Sequence, residues 1–190
     1  MRGERLLHTL RLCSILSSKK RTEYLRKRQI FNDIGQNCNF MNRIVPLYPK
    51  LIKVGNNVRI ASGVSFITHD VTHSMLNEIP GRGKYQEKVG CIEIGDNVFI
   101  GAGATILYDV QIGSNVIIGA GSIVNHDVPS NSVVAGIPAR VISTFEEYLG
   151  KREKDCIYPE SIAPRGEEIS DELVAWCWDE FRSKRTIDNC

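Results

Sequence analysis

IGDNVF-IGAGAT-ILYDVQ-IGSNVI-IGAGSI-VNHDVP, residues 94–129, reads as six blocks of six. Each block opens on a β-branched aliphatic residue: Ile94, Ile100, Ile106, Ile112, Ile118 and Val124. Gly stands second in four of the six, and the fifth places are held by Val98, Ala104, Val110, Val116, Ser122 and Val128. Six such hits at one phase arise by chance with a probability of about 10⁻⁴ or less, if β-branched aliphatics fill about a fifth of a chain. A fixed short period marks a solenoid. Each block supplies one short strand and a corner, and three blocks close a triangular turn. The first aliphatic of each block points inward and stacks on its neighbour about 4.8 Å away, which suits β-branched side chains. Gly and the Asp-Asn, Ser-Asn and Ala-Gly pairs belong at corners, where positive φ or close backbone approach is required. The expected class is all-β, a parallel β-helix with helical appendages. A doubly wound α/β sheet is disfavoured, because the blocks leave no room for helices between strands.

Working outward, two irregular blocks (34–39 and 40–45) precede a break at Pro46-Leu47-Tyr48-Pro49. Clean blocks resume at Val54 and Ile60, and the period fails after Phe66. Val54 and Ile94 lie 40 residues apart, not a multiple of six, so an insertion of about 69–91 separates them. It is polar, and long insertions in a solenoid mark a working face. The expected divisions are a helical segment 1–33, a β-helix 34–143 and a helical extension 144–190. Within the first, Leu6, Leu10 and Cys13 share a helix face, Ser17 or Ser18 caps a second helix, and Lys19-Lys20-Arg21 and Arg26-Lys27-Arg28 read as solvated. Thr144 and Glu147 form a capping-box pair, and Ser170-Asp171-Glu172 starts a last helix with Leu173, Trp176, Cys177 and Phe181 on one face.

The chain has 190 residues and a net charge of +2, which implies no global field for nucleic acid or membrane. The charge is uneven: residues 1–30 hold nine Lys/Arg against Glu4 and Glu23, and residues 145–190 hold twelve Asp/Glu against seven Lys/Arg. Six cysteines (Cys13, Cys38, Cys91, Cys156, Cys177 and Cys190) show neither CxxC nor zinc spacing and fit a reducing cytoplasm. His8 and Arg11 interrupt the only apolar run near the N-terminus, so it reads as an amphipathic helix rather than a signal peptide. No transmembrane segment is expected.

His69 stands in Phe66-Ile67-Thr68-His69-Asp70, where the period breaks. A histidine at the lip of a rigid strand can meet a ligand and take a proton near neutral pH; the alternative is a loop-entry His held by Asp70 for turn structure. The blocks, the His-bearing break, the polar loop and the ending Ala-Gly-Ile-Pro-Ala-Arg-Val-Ile (135–142) resemble the hexapeptide-repeat acyltransferases, and among them the galactoside and maltose O-acetyltransferases and the sugar-modifying enzymes of capsule and O-antigen synthesis. The resemblance covers about 54–143.

That resemblance implies a left-handed β-helix, against the usual crossover hand, and a cytoplasmic homotrimer with active sites between neighbouring prisms. It implies acetyl-CoA as co-substrate and no metal. His69 matches the family's general base on an acceptor hydroxyl, which attacks the thioester directly. For the cofactor, Ala102 and Ala120 match corner positions along the pantetheine arm, Phe99 a position beside the thioester, Asn125 and His126 a Thr-Lys pair, and Arg140 an Arg suited to phosphate. His126 and Ser143 depart from basic residues of the family, which implies a looser phosphate grip. On the acceptor side, Asn42 or Asn39 matches a family Asn, while Asp70, His73 and Arg82 line the loop.

The function expected is acetyl transfer to a hydroxyl of a sugar or glycan precursor. The alternatives are N-acetylation of an amino sugar or an antibiotic, a zinc enzyme of the carbonic-anhydrase kind using His69 and His73, and a non-catalytic scaffold prism. A serine acetyltransferase is disfavoured, because that family's long helical N-terminal domain has no counterpart here.

Overall fold

A computed structural model describes residues 2–155, 157–166 and 168–187; Cys156 and Cys190 lie outside the described residues. The chain forms two compact units, residues 1–149 and 150–190.

In the first unit, consecutive strands rotate through three parallel sheets. One holds Asp33–Ile34, Ile52–Val54, Ile92–Ile94 and Val110–Ile112; a second holds Asn39–Phe40, Arg59–Ile60, Val98–Ile100, Val116–Ile118 and Ser132–Gly136; a third holds Ser65–Ile67, Thr105–Leu107 and Ile123–Val124. Ile94 pairs with Ile112, and Ile100 with Ile118, so one circuit takes 18 residues. Val54 pairs with Ile94 across 40 residues, one circuit plus a 22-residue insertion. The first and fifth residues of all six quoted blocks are at most 6% exposed. They form the core with Val54, Ile60, Phe66, Ile34 and Phe40 from the earlier circuits. Strand period two explains the rest: Lys53, Glu93 and Gln111 alternate outward between buried partners.

The corners are built as their residue types require. Asn37, Asn57, Asn97, Asn115 and Asn131 all take positive φ, and their amides bond edge to edge at 2.9–3.0 Å in one continuous ladder. At another corner a Cβ on Gly101 would lie 2.5 Å from the Ala120 nitrogen, so only Gly permits that approach. The Pro46–Pro49 break removes the third strand of the first circuit and leaves a short 3₁₀ turn, Pro49–Leu51.

Two helices precede the strands: α1, Arg2–Ser14, and α2, Ser18–Lys27, capped by Ser17. The face expected to seat α1 is exposed (Leu6 and Leu10 each 58%), and Leu12 is buried instead. The basic runs are also not simply solvated. Arg21 is buried and donates to the carbonyls of Ile15, Leu16, Phe40 and Met41; Arg26 donates to those of Ile34 and Gly35. These guanidiniums satisfy carbonyls where the strand ladder has not yet begun.

The insertion carries α3, Thr72–Leu76. The last strand, Ala139–Thr144, turns back antiparallel on Ser132–Gly136, through a cis Ile137-Pro138 bond. It leads into α4, Phe145–Arg152, whose capping box is present: Thr144 N donates to Glu147, and Glu147 N to Thr144 Oγ1. In the second unit α5, Asp171–Ile187, buries Leu173, and Trp176 meets Tyr158 edge to face. No helix among the described residues is long and apolar enough to cross a membrane.

Candidate active site

The insertion leaves and rejoins the rod at one place. His69 pairs with Val89 and Asp70 with Lys88 in a short antiparallel ladder. Below it Gly90 N donates to Thr68 O (2.9 Å), and the buried Thr68 hydroxyl donates to Leu47 O (2.6 Å). His69 is therefore held by its own backbone, while its ring stands half-buried at the lip. Its Nδ1 is shielded from solvent and has no hydrogen-bond partner. The Tyr48 ring meets the His69 ring nearly perpendicularly, centroids 5.5 Å apart.

Asp70 accepts from Thr72 N (2.6 Å) and from the Tyr108 hydroxyl (3.1 Å). The Thr72 bonds, then Tyr108 and the charge of His73, hold its carboxyl below the usual range; the same bond to Asp70 pushes the Tyr108 phenol up. Lys88 pairs with Asp109 at 2.6 Å, which raises the Lys88 ammonium's pKa, and lies over the Tyr108 ring. Tyr48 donates to Glu87 at 3.2 Å, and the Glu87 charge pushes the phenol up. Tyr48, Glu87, Lys88 and Tyr108 had no role in the sequence reading. The Tyr48–Glu87 and Asp70–Tyr108 contacts cross 39 and 38 residues, and no periodicity reports them.

The other candidates fall on two corners of the rod. Ala102 and Ala120 are both exposed and stacked, with Gly121 N on Ala102 O at 2.8 Å. The turn bearing the exposed Arg140 joins that corner, since Gly136 N bonds Ser122 Oγ and Arg140 lies opposite Ala135. Asn42 belongs to this corner too: Met41 N bonds Ile60 O, and the Asn42 amide donates to Val64 O while its Oδ1 has no partner. Phe99 stands outward on the neighbouring sheet, 46% exposed. His69, Asp70 and Tyr108 occupy the next corner, at the far ends of strands Ser65–Ile67 and Thr105–Leu107. Asn125 and His126, bonded to each other at 2.7 Å, follow Ile123–Val124 on that second corner. His73 lies on α3 with a solvent-shielded, unpartnered Nδ1. Arg82 is exposed within the insertion, its N–H on the Ile79 carbonyl. Asn39 lies in its strand, its Oδ1 unpartnered. Among the described residues, no group of three or more His, Cys, Asp and Glu is placed to hold a metal.

This arrangement can offer an imidazole on a paired backbone at one corner and, at another, a row of small exposed residues beside an exposed guanidinium. Comparison with known proteins bears on what such a surface handles. The bacterial transferase hexapeptide family, with six repeats, matches residues 91–126. Protein CapG of Staphylococcus aureus is 39% identical over 140 residues, 71% of this chain and 78% of that protein. A hexapeptide-repeat acetyltransferase of Vibrio cholerae, solved with acetyl coenzyme A, superposes with a TM-score of 0.56 at 27% identity, over 76% of this chain and 86% of its own. A maltose O-acetyltransferase of Clostridium difficile superposes with a TM-score of 0.55 at 29% identity, over 75% and 85%.

Proposed function

The chain belongs to the hexapeptide-repeat acetyltransferases, which use acetyl-CoA, and on that premise we propose that it moves an acetyl group onto a hydroxyl of a sugar or glycan precursor. The likeness to a maltose O-acetyltransferase supports the sugar hydroxyl over an amine. The observation that carries the reading is the placement of His69, an imidazole carried on a paired backbone at the long interruption of the rod.

In the proposed mechanism His69 takes the proton of the acceptor hydroxyl as the oxygen attacks the thioester carbonyl. The C–O bond forms, the C–S bond breaks, and the proton passes from the imidazole to the departing thiolate. No acyl-enzyme is involved. A positioned base contributes about 10²–10⁴ in rate, and backbone N–H groups at the break stabilise the oxyanion. The cofactor lies along Ala102 and Ala120, with Phe99 towards the thioester, Arg140 on phosphate, and Asn125 and His126 at its edge. Asn42, Asp70, His73 and Arg82 serve the acceptor side.

Base and cofactor surface stand on different corners of one rod, which supports active sites shared between neighbouring prisms of a homotrimer of left-handed β-helices. The catalytic part is 34–143, with 1–33 and 144–190 as helical appendages, and the trimer works in the cytoplasm. The test is acetyl-CoA thiol release against a panel of sugars, nucleotide sugars and amines. With the best acceptor, His69→Ala loses at least about 10²-fold in turnover with oligomer and fold intact; retention of more than about a tenth of wild-type turnover removes His69 as the base. Arg140→Ala raises the KM for acetyl-CoA more than it lowers kcat, and an unchanged KM rules out a phosphate contact.

A further inference from the structure

We propose that Tyr48 and Glu87 are positioning residues for the His69 ring, and that supplying Glu87 is what the insertion contributes to the chemistry. The proposal rests on the reading of His69 as the base. Its physical content is a closed circuit of contacts drawn from three separate stretches of chain. The His69 backbone pairs with Val89. Two residues before Val89, Glu87 accepts from the Tyr48 hydroxyl, with its oxygens at 3.2 and 3.5 Å. The Tyr48 ring closes the circuit against the His69 ring at 5.5 Å and 77°. The segment carrying Tyr48 is pinned to the residue before His69 by the Thr68 hydroxyl on Leu47 O.

The backbone of Tyr48 argues that the ring is what this site requires. Tyr48 sits at φ 50 and ψ 52, the left-handed region. Among the described residues, the other non-glycine positive-φ positions are Gln29, Asp109 and the five asparagines of the corner ladder. A bulky aromatic held there is strained. Asn or Gly would relieve that strain and lose both the ring and the phenol. His69 needs such help, because its Nδ1 has no hydrogen-bond partner to fix the ring plane. An imidazole otherwise free about χ1 and χ2 spends part of its time turned from the acceptor, and a base misplaced by about 1 Å can cost up to about 10² in rate. The edge-to-face contact, with its phenol tethered to the returning end of the insertion, supplies the missing constraint.

The test uses the full-length protein in four variants. Tyr48→Phe keeps the ring and removes the tether; Tyr48→Ala removes both. Glu87→Ala removes the acceptor oxygen, and Glu87→Gln keeps one. His69 side-chain rotamers are read from three-bond couplings by NMR in histidine-labelled protein, which requires no acceptor. Wild type and Glu87→Gln are expected to show one rotamer, and Tyr48→Phe, Tyr48→Ala and Glu87→Ala averaging. With the acceptor chosen by the thiol-release panel, Tyr48→Phe and Glu87→Ala are expected to lower kcat about tenfold, with the acetyl-CoA KM within about twofold. Glu87→Gln stays near wild type. Unchanged couplings in Tyr48→Ala overturn the proposal, as does a Glu87→Gln enzyme that falls as far as Glu87→Ala. If His69→Ala keeps its turnover, the base reading fails by itself and the rotamer measurements still report whether the ring is held.

Discussion

Gly101 shows how little room a single position in this rod leaves. Its Cα faces the Ala120 backbone so closely that a methyl group would sit 2.5 Å from the Ala120 nitrogen, in a turn whose neighbours Gly119 N and Gly121 N are both bonded to adjacent circuits. Gly101→Ala therefore forces a backbone shift of the kind that costs about 1–3 kcal/mol. In a chain of this length that corresponds to about 2–12 °C in Tm, readable by calorimetry; an unchanged Tm shows that the corner yields freely. Positions of this kind were legible from the amino acids alone, because one residue type answers one backbone demand: Gly at Gly101, Asn at Asn97 and Asn115. Arg21 was not legible. Its burial follows from where four carbonyls end up, and nothing in Lys19-Lys20-Arg21 distinguishes the one cation that turns inward.

At the scale of elements, the stem of the insertion is held by charge as well as by its ladder. Lys88 has a raised pKa in the fold, so its contribution is complete below its unfolded value near 10.4 and is lost as pH rises through the folded one. Tyr108 behaves likewise above about 10. Asp70 has a lowered pKa; its contribution is present above about 3.9 and lost as pH falls through the folded value. The stem is accordingly firmest between about pH 5 and 9. Lys88→Gln should expose Arg82 and Lys84 to trypsin at pH 8 faster than in wild type. It should also flatten the alkaline fall in Tm, and equal cleavage rates would show that the ladder suffices without the ion pair. The insertion's ends could be read from the failure of the period, because a rod of fixed rise cannot absorb 22 extra residues. The contacts made at those ends could not. Tyr48 and Glu87 meet only because Pro46 and Pro49 remove a strand from the first circuit and leave Tyr48 beside the lip.

For the molecule as a whole, the separation of the two corners raises the question whether one site draws on two copies of the chain. The sequence pattern carried the rod to the eye because each circuit repeats the same demands, whereas any pairing of corners between copies would leave no periodic trace. Co-expressing His69→Ala with Arg140→Ala chains tests it. If base and cofactor surface come from neighbouring chains, mixed oligomers contain some sites that draw His69 from one subunit and Arg140 from the other. Thiol release then exceeds that of either parent variant mixed with itself. Activity no greater than the parents' would place both groups in one chain.

The ladder at the stem has a consequence for how such a protein can change. His69, Asp70, Lys88 and Val89 close the gap left by the excursion, so the stacked circuits on either side meet as if nothing lay between them. Residues 73–86 can then lengthen, shorten or be exchanged with little penalty to the scaffold, since closure entropy grows only slowly with loop length. Diversification can concentrate there, on a replaceable cartridge plugged into a socket that closes without it.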